Sequence, residues 1–226
     1  MVKKAVCLIS GGIDSTVAVY IAKKKGYKLY CLSFDYGQRH KKELNSARKI
    51  AESVNAVEHV IVKLDLSQFG GSSLTDKSKK IPTKSRIEDI GKTIPSTYVP
   101  ARNTVFLSIA MAYAETIDAE TIFIGAIATD YSGYPDCRPE YIEAFQKMAD
   151  LATKKGVEGG SIKINAPLLY MSKAEIIKKG IELGVPFDKT WSCYKGDVKA
   201  CGRCDSCLFR LKGFKDAGFS DPIKYK

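Results

Sequence analysis

An α/β fold, a Rossmann-like doubly wound parallel sheet, is the architecture this sequence predicts, and three observations lead to it. Five short apolar runs rich in strand-forming residues recur along the chain. Segments with helical spacing separate them, which is the alternation that parallel strands require of their crossovers. The first run ends directly in Ser10-Gly11-Gly12 before an amphipathic stretch, and in such folds the turn after the first strand faces the ligand site.

The expected strands are 5–9, 28–34, 57–64, 121–126 and 161–165, each a run of Val, Ile, Leu, Cys, Phe or Tyr bounded by turn residues. The expected helices are 16–25, closed by Gly26, then 41–54, 104–117, 139–155 and 173–183. The last carries Ser172 with Glu175 as a capping box and stops at Gly184 before Pro186. Loops 35–38 and 126–137 follow the second and fourth strands and are expected to converge at the carboxyl ends of the sheet. From 70 to 102 periodicity is lost and Gly, Ser, Thr, Lys and Pro dominate, a length that marks a flap over the site or a solvated insertion. We therefore expect a nucleotide-binding α/β domain over 1–187, with a flap at about 70–102, and a small metal-binding segment over 188–226.

The chain of 226 residues is 45% hydrophobic and 27% charged, ordinary values for a globular protein. No apolar run approaches the roughly 20 residues of a membrane span, and Met1-Val2-Lys3-Lys4 leads straight into the first strand rather than into a secretory signal. A cytoplasmic location with no membrane partner is the expectation. The net charge of +11 attracts polyanions in general. Only seven of the 36 basic residues are arginine, however, and the lysines are spread along helices as at Lys23-Lys24-Lys25 and Lys178-Lys179. Solvated helix faces account for most of them, so no stable nucleic-acid partner is expected.

Ser10-Gly11-Gly12-Ile13-Asp14-Ser15-Thr16 reads as a phosphate cradle. Adjacent glycines let the backbone turn close to an anion, and the free N–H groups of the next helix point at it. The hydroxyls of Ser10, Ser15 and Thr16 add donors. No Gly-Lys-[Ser/Thr] follows, so this is not the Walker loop. Asp14 has three open roles: holding Mg²⁺ with the nucleotide, orienting the loop, or capping the helix.

Cys193, Cys201, Cys204 and Cys207 form a second signal, the last three spaced Cys-x-x-Cys-x-x-Cys. Four soft ligands within fifteen positions fit one tetrahedral Zn²⁺ per chain, with an iron–sulfur cluster as the rival. Closed four-sulfur coordination leaves no position for substrate, so the zinc is expected to be structural. Cys7 and Cys31 fall in strand patterns as small core residues, while Cys137 stands beside Arg138 on a candidate site loop.

The pattern Ser-Gly-Gly-x-Asp-Ser resembles the PP-loop of the ATP pyrophosphatases, in which the loop grips the β,γ-pyrophosphate while the α-phosphorus is attacked. Four further segments extend the likeness: Phe34 to His40, Tyr98 to Asn103, Asp130 to Arg138, and the cysteine quartet. Together, from about residue 5 to 213, they resemble the 7-cyano-7-deazaguanine synthase family, with no departure from its pattern. The resemblance implies a PP-loop ATPase type of fold and a ligase that joins 7-carboxy-7-deazaguanine and ammonia at the expense of ATP. The product is a nitrile, the precursor of queuosine and archaeosine in tRNA. It implies nucleotide contacts along Leu8, Ile9, Ser10, Gly11, Gly12, Ile13, Asp14, Ser15, Thr16, Val17 and Ala18, with Asp14, Ser15 and Arg102 in catalysis. Arg102 and Arg138 are candidates for anionic groups, since guanidinium forks match carboxylates and phosphates. Tyr131, Tyr134 and Asp136 are expected around a flat deazaguanine. With only His40 and His59 and no amidotransferase segment in sight, free ammonia is the expected nitrogen donor. Two rival readings stand beside this one: a PP-loop enzyme that thiolates or lysidinylates tRNA, and a non-catalytic zinc module that binds nucleic acid. A homodimer is left open.

Overall fold

In the computed structural model of the protein, residues 2–83, 93–128 and 134–226 are described. Five parallel strands, β1 (Lys4–Leu8), β2 (Lys28–Asp35), β3 (Glu58–Lys63), β4 (Thr121–Phe123) and β5 (Lys163–Asn165), make one sheet in the order β3-β2-β1-β4-β5. Cys7 sits opposite Cys31 on one side and Phe123 on the other, and both cysteines are core residues. Strand order reverses between β1 and β4, so a crevice opens beyond their carboxyl ends. The predicted fold is the observed one, and each expected strand is present within a few residues.

Helices α1 (Ile13–Lys24), α2 (Lys42–Ser53), α3 (Arg102–Thr116), α4 (Pro139–Ala152), α5 (Lys154–Val157), α6 (Lys173–Glu182) and α7 (Asp205–Ala217) cover the sheet. One buried cluster joins Val17, Ile50, Ile176 and Phe214 to one face, and another joins Val6, Leu107, Ile122 and Phe145 to the other. That two-sided burial explains why the strands read as continuous apolar runs.

Two expectations about helices need correction. The helix anticipated over 139–155 is two helices, because Thr153 leaves helical geometry (φ −107°, ψ 148°) and its hydroxyl caps α5 by accepting from Gly156 N. Helix α7 was not anticipated, since cysteines at its start and Gly213 within it mask the apolar period. Gly213 is what seats the helix: a Cβ there would lie 2.3 Å from Lys173 Cγ and 2.9 Å from Ile177 Cδ1. Phe214 and Ala217 thereby enter the same cluster as Val17 of α1.

Candidate active site

Beyond β1 the loop is knit by its own hydroxyls. Ser10 N donates to Ser15 Oγ (3.1 Å), the two serine hydroxyls are 3.0 Å apart, and Ser15 Oγ donates to Gly12 O (3.2 Å). Gly12 caps α1 and its N–H donates to Ser10 Oγ at 3.3 Å, while the N–H groups of the helix's first turn have no partner within the helix. Gly11, at φ +80°, cannot be replaced cheaply: a Cβ would fall 2.5 Å from Glu43 O. On the opposite side Gly125 follows β4 so closely that a Cβ would meet Ser15 N at 2.6 Å.

A cavity of about 330 Å³ lies in the crevice, within the range of small-molecule sites, roughly 300–1,000 Å³. Leu8, Ile9, Ser10, Gly12, Ile13, Asp14 and Ser15 line it, but Gly11, Thr16, Val17 and Ala18 do not. Gly11 turns toward α2 instead, and Thr16 is fully buried with its hydroxyl on Gly12 O at 2.7 Å. Val17 and Ala18 pack in the core beneath the loop. These four lie behind or beneath the loop rather than on the cavity wall.

Asp14 forms an ion pair with Lys173 Nζ at 2.6 Å, and both groups line the cavity. Lys173 escaped the sequence reading because it looks like an ordinary surface lysine after a cap. Its position was the available signal, since a cation in the first turn of a helix opposes the helix dipole. Of the cavity's oxygen donors, Asp14 is the carboxylate on the loop itself, and one or two carboxylates with phosphate oxygens are the usual Mg²⁺ set.

Arg102 lines the same cavity as the loop, with its guanidinium 5.8 Å from the Tyr36 ring and 5.9 Å from the Phe106 ring. Phe106 in turn stacks on Phe34, centroids 3.9 Å apart. Burial works against the Arg102 charge, but Tyr36, Tyr134 and Asp136 around it outweigh that and hold it firmly protonated. Ala101, just before it, adopts φ +52°, a costly geometry for a residue with a side chain. It aims the start of α3 at the site.

Tyr134 lines the cavity with its hydroxyl 3.2 Å from Thr97 Oγ1. Asp136 is buried outside the cavity lining, where Oδ2 accepts from Asn103 N at 2.9 Å and so caps the first turn of α3. Arg138 is exposed, away from the cavity, and its Nε donates to Pro135 O at 3.2 Å. Tyr131 lies outside the described residues. Cys137 is buried, and burial pushes its thiol up to about 11, so it is no nucleophile near neutral pH. The described part of 70–102 forms a wall: Leu74, Pro95 and Thr97 line the cavity, and Leu74 and Val99 join the core.

The four tail cysteines converge in a buried cluster. Their sulfurs lie within 4.8 Å of one another, with Cys201 Sγ and Cys207 Sγ 3.9 Å apart. Metal–sulfur bonds of about 2.3 Å at tetrahedral angles require sulfurs about 3.8 Å apart. Backbone N–H groups of Cys201, Arg203 and Cys204 point at the sulfurs at 3.3–3.4 Å, and such donors favour thiolates. The cluster can hold a metal ion. It also starts α7, whose Asp205, Ser206, Phe209 and Arg210 close the near side of the cavity, contacts that no local sequence signal announced.

A serine-rich cradle without a Walker lysine, at the switch point of a parallel sheet, defines an α/β nucleotide-binding enzyme of the PP-loop type. A family model described as "Queuosine biosynthesis protein QueC" matches residues 4–218, and the chain belongs to that family. Proteins named 7-cyano-7-deazaguanine synthase match along nearly their whole length. That of Coxiella burnetii strain RSA 331 is 58% identical, and that of Saccharophagus degradans is 57% identical, each over 99% of this chain and 98% of its own. That of Citrifermentans bemidjiense is 56% identical over 100% of this chain and 99% of its own.

Proposed function

We propose that this protein is a carbon–nitrogen ligase that converts 7-carboxy-7-deazaguanine and ammonia to 7-cyano-7-deazaguanine with ATP, and so supplies queuosine or archaeosine formation. The observation that supports the reading is one cavity lined both by the serine-rich loop after β1 and by Arg102. A carboxylate is a poor electrophile, so the first step is transfer of AMP. The substrate carboxylate oxygen attacks the α-phosphorus, the bond to the β,γ-pyrophosphate breaks, and the loop N–H groups and serine hydroxyls hold the leaving anion. Donors fixed in advance around developing charge lower the barrier, each worth on the order of 3 kcal/mol. Ammonia then displaces AMP and gives the amide. Adenylation of the amide oxygen by a second ATP, with loss of both N–H protons and AMP, gives the nitrile.

Asp14 is the residue that would hold Mg²⁺ with the nucleotide, and the ion supplies charge neutralisation of the triphosphate. Lys173 holds Asp14 in place and adds a cation on the phosphate side. Arg102 orients the substrate carboxylate, while Tyr134 packs against the flat ring. Tyr131 and Asp136 belong to that subsite in the reading from resemblance, whereas Arg138, exposed and outside the cavity lining, is left out of it. Asp136 acts there through the start of α3.

The four cysteines hold one structural Zn²⁺ per chain, which ties residues 188–226 to the nucleotide-binding body over 1–187. No helix among the described residues is long and apolar enough to cross a membrane, and a cytoplasmic enzyme without a stable nucleic-acid partner follows from this chemistry. Product analysis tests the first step: turnover should release AMP and pyrophosphate. ADP and phosphate as primary products would mean that a different phosphorus is attacked.

A further inference from the structure

Beside the main cavity lies a second recess of about 10 Å³, room for one water-sized molecule. Gln38, His40, Glu43 and Tyr194 line it, and Gln38, Glu43 and Tyr194 line the main cavity as well. Its walls are fixed. Gln38 accepts from Tyr36 N at 2.7 Å and donates to Phe34 O at 3.1 Å, and the His40 ring packs against Gly196, where a Cβ would fall 2.3 Å from its Cγ. His40 Nδ1 is buried with no hydrogen-bond partner among the described residues, and such an atom calls for an explanation. The charged groups acting on Glu43 are Arg102 and the Cys193 sulfur. Arg39 also borders the recess; its Nη2 donates to the carbonyls of Asp76 and Lys79, and its Nε is buried with no hydrogen-bond partner among the described residues.

We propose that this recess is the ammonium site, with Glu43 the base that receives the donor's first proton. The proposal rests on the functional reading above and deepens it. Ammonium is the prevalent form near neutral pH and has no lone pair with which to attack. A carboxylate attracts it and accepts its proton, while the partnerless His40 Nδ1 on the recess wall takes a second N–H. An N–H bond of ammonium breaks and its proton passes to Glu43. The freed lone pair forms the C–N bond to the adenylated carbonyl carbon, the C–O bond to AMP breaks with its electrons on AMP, and the second proton leaves nitrogen for solvent. Placement supports the step: Arg102, which orients the carboxylate, is close enough to act electrostatically on Glu43. Burial pushes the Glu43 carboxyl up to about 7 against the pull of Arg102, suited to a base near neutral pH.

Glu43→Gln keeps the shape and removes the base. The ammonium kcat/KM should fall about 10²-fold or more, while pyrophosphate exchange driven by 7-carboxy-7-deazaguanine alone stays within a few-fold of wild type. Hydroxylamine, a free base at neutral pH, should be used by the variant nearly as well as by wild type, and Glu43→Asp should regain part of the ammonium rate. An unchanged ammonium kcat/KM, or an equal loss in exchange, overturns the ammonium site and leaves the functional reading standing. Wild-type protein that never exchanges pyrophosphate with this carboxylate overturns the functional reading and the site with it.

Discussion

Lys173 and Gly125 act on the phosphate loop from positions 159 and 110 residues away from Asp14 and Ser15 respectively. Replacing Lys173 with Met leaves the partly exposed Asp14 carboxylate without its partner. That change should cost about 1–2 kcal/mol of stability but reduce carboxylate-dependent pyrophosphate exchange by about tenfold or more, since it removes a cation from the charge-bearing wall. Equal exchange in Lys173→Met and wild type would assign Lys173 to packing alone. Gly125→Ala should displace Ser15 N and weaken ATP binding while the sheet stays folded, as read by nucleotide titration against circular dichroism. The loop itself was legible because its requirements are local: two glycines, hydroxyls and the start of a helix within seven positions. Lys173 and Gly125 were not, because their roles exist only once β4 and α6 lie beside β1. Arg138 shows the converse, since a guanidinium that matches anions by chemistry is carried outward by the first turn of α4.

Helix α7 and the cysteine cluster before it carry the largest gap between sequence and structure at the level of elements. The quartet's spacing announced a metal, but nothing local indicated that the following helix enters the core and closes the cavity. Arg210 is the joint: 1% exposed, it makes a two-pronged pair with Asp221 at 2.7 and 2.9 Å and donates to Thr190 Oγ1 and Phe187 O. Arg210→Met strands a buried carboxylate and should cost about 3–5 kcal/mol in denaturant unfolding, whereas a loss under about 1 kcal/mol would mean that the tail folds independently of this pair. For the metal, the expectation is about one zinc per chain and no iron–sulfur absorption. Cys204→Ala should lose zinc, lower the melting temperature and raise amide exchange over 193–217. Full metal content in that variant would remove these cysteines from the ligand set.

For the molecule as a whole, the alternation of apolar runs and helical spacing specified the parallel sheet because its central strands β1, β2 and β4 are buried on both faces. That topology then placed the cradle, the end of β4 and the start of α3 around one crevice. In the proposed function the cavity joins a site for pyrophosphate to a cation for the substrate's carboxylate, and in the proposed extension of it the adjoining recess takes ammonium. These are the parts that a carboxylate-to-nitrile ligase needs, and a tRNA-modifying or purely nucleic-acid-binding protein would not require them together. Mass spectrometry of one reaction tests this most directly, with 7-carboxy-7-deazaguanine, ATP, Mg²⁺ and ammonium as the reactants. The carboxylate should disappear, the amide should rise and then be consumed, and the nitrile should accumulate with AMP, while glutamine in place of ammonium gives no product. A protein that binds ATP yet leaves the carboxylate unchanged would contradict the account at its centre.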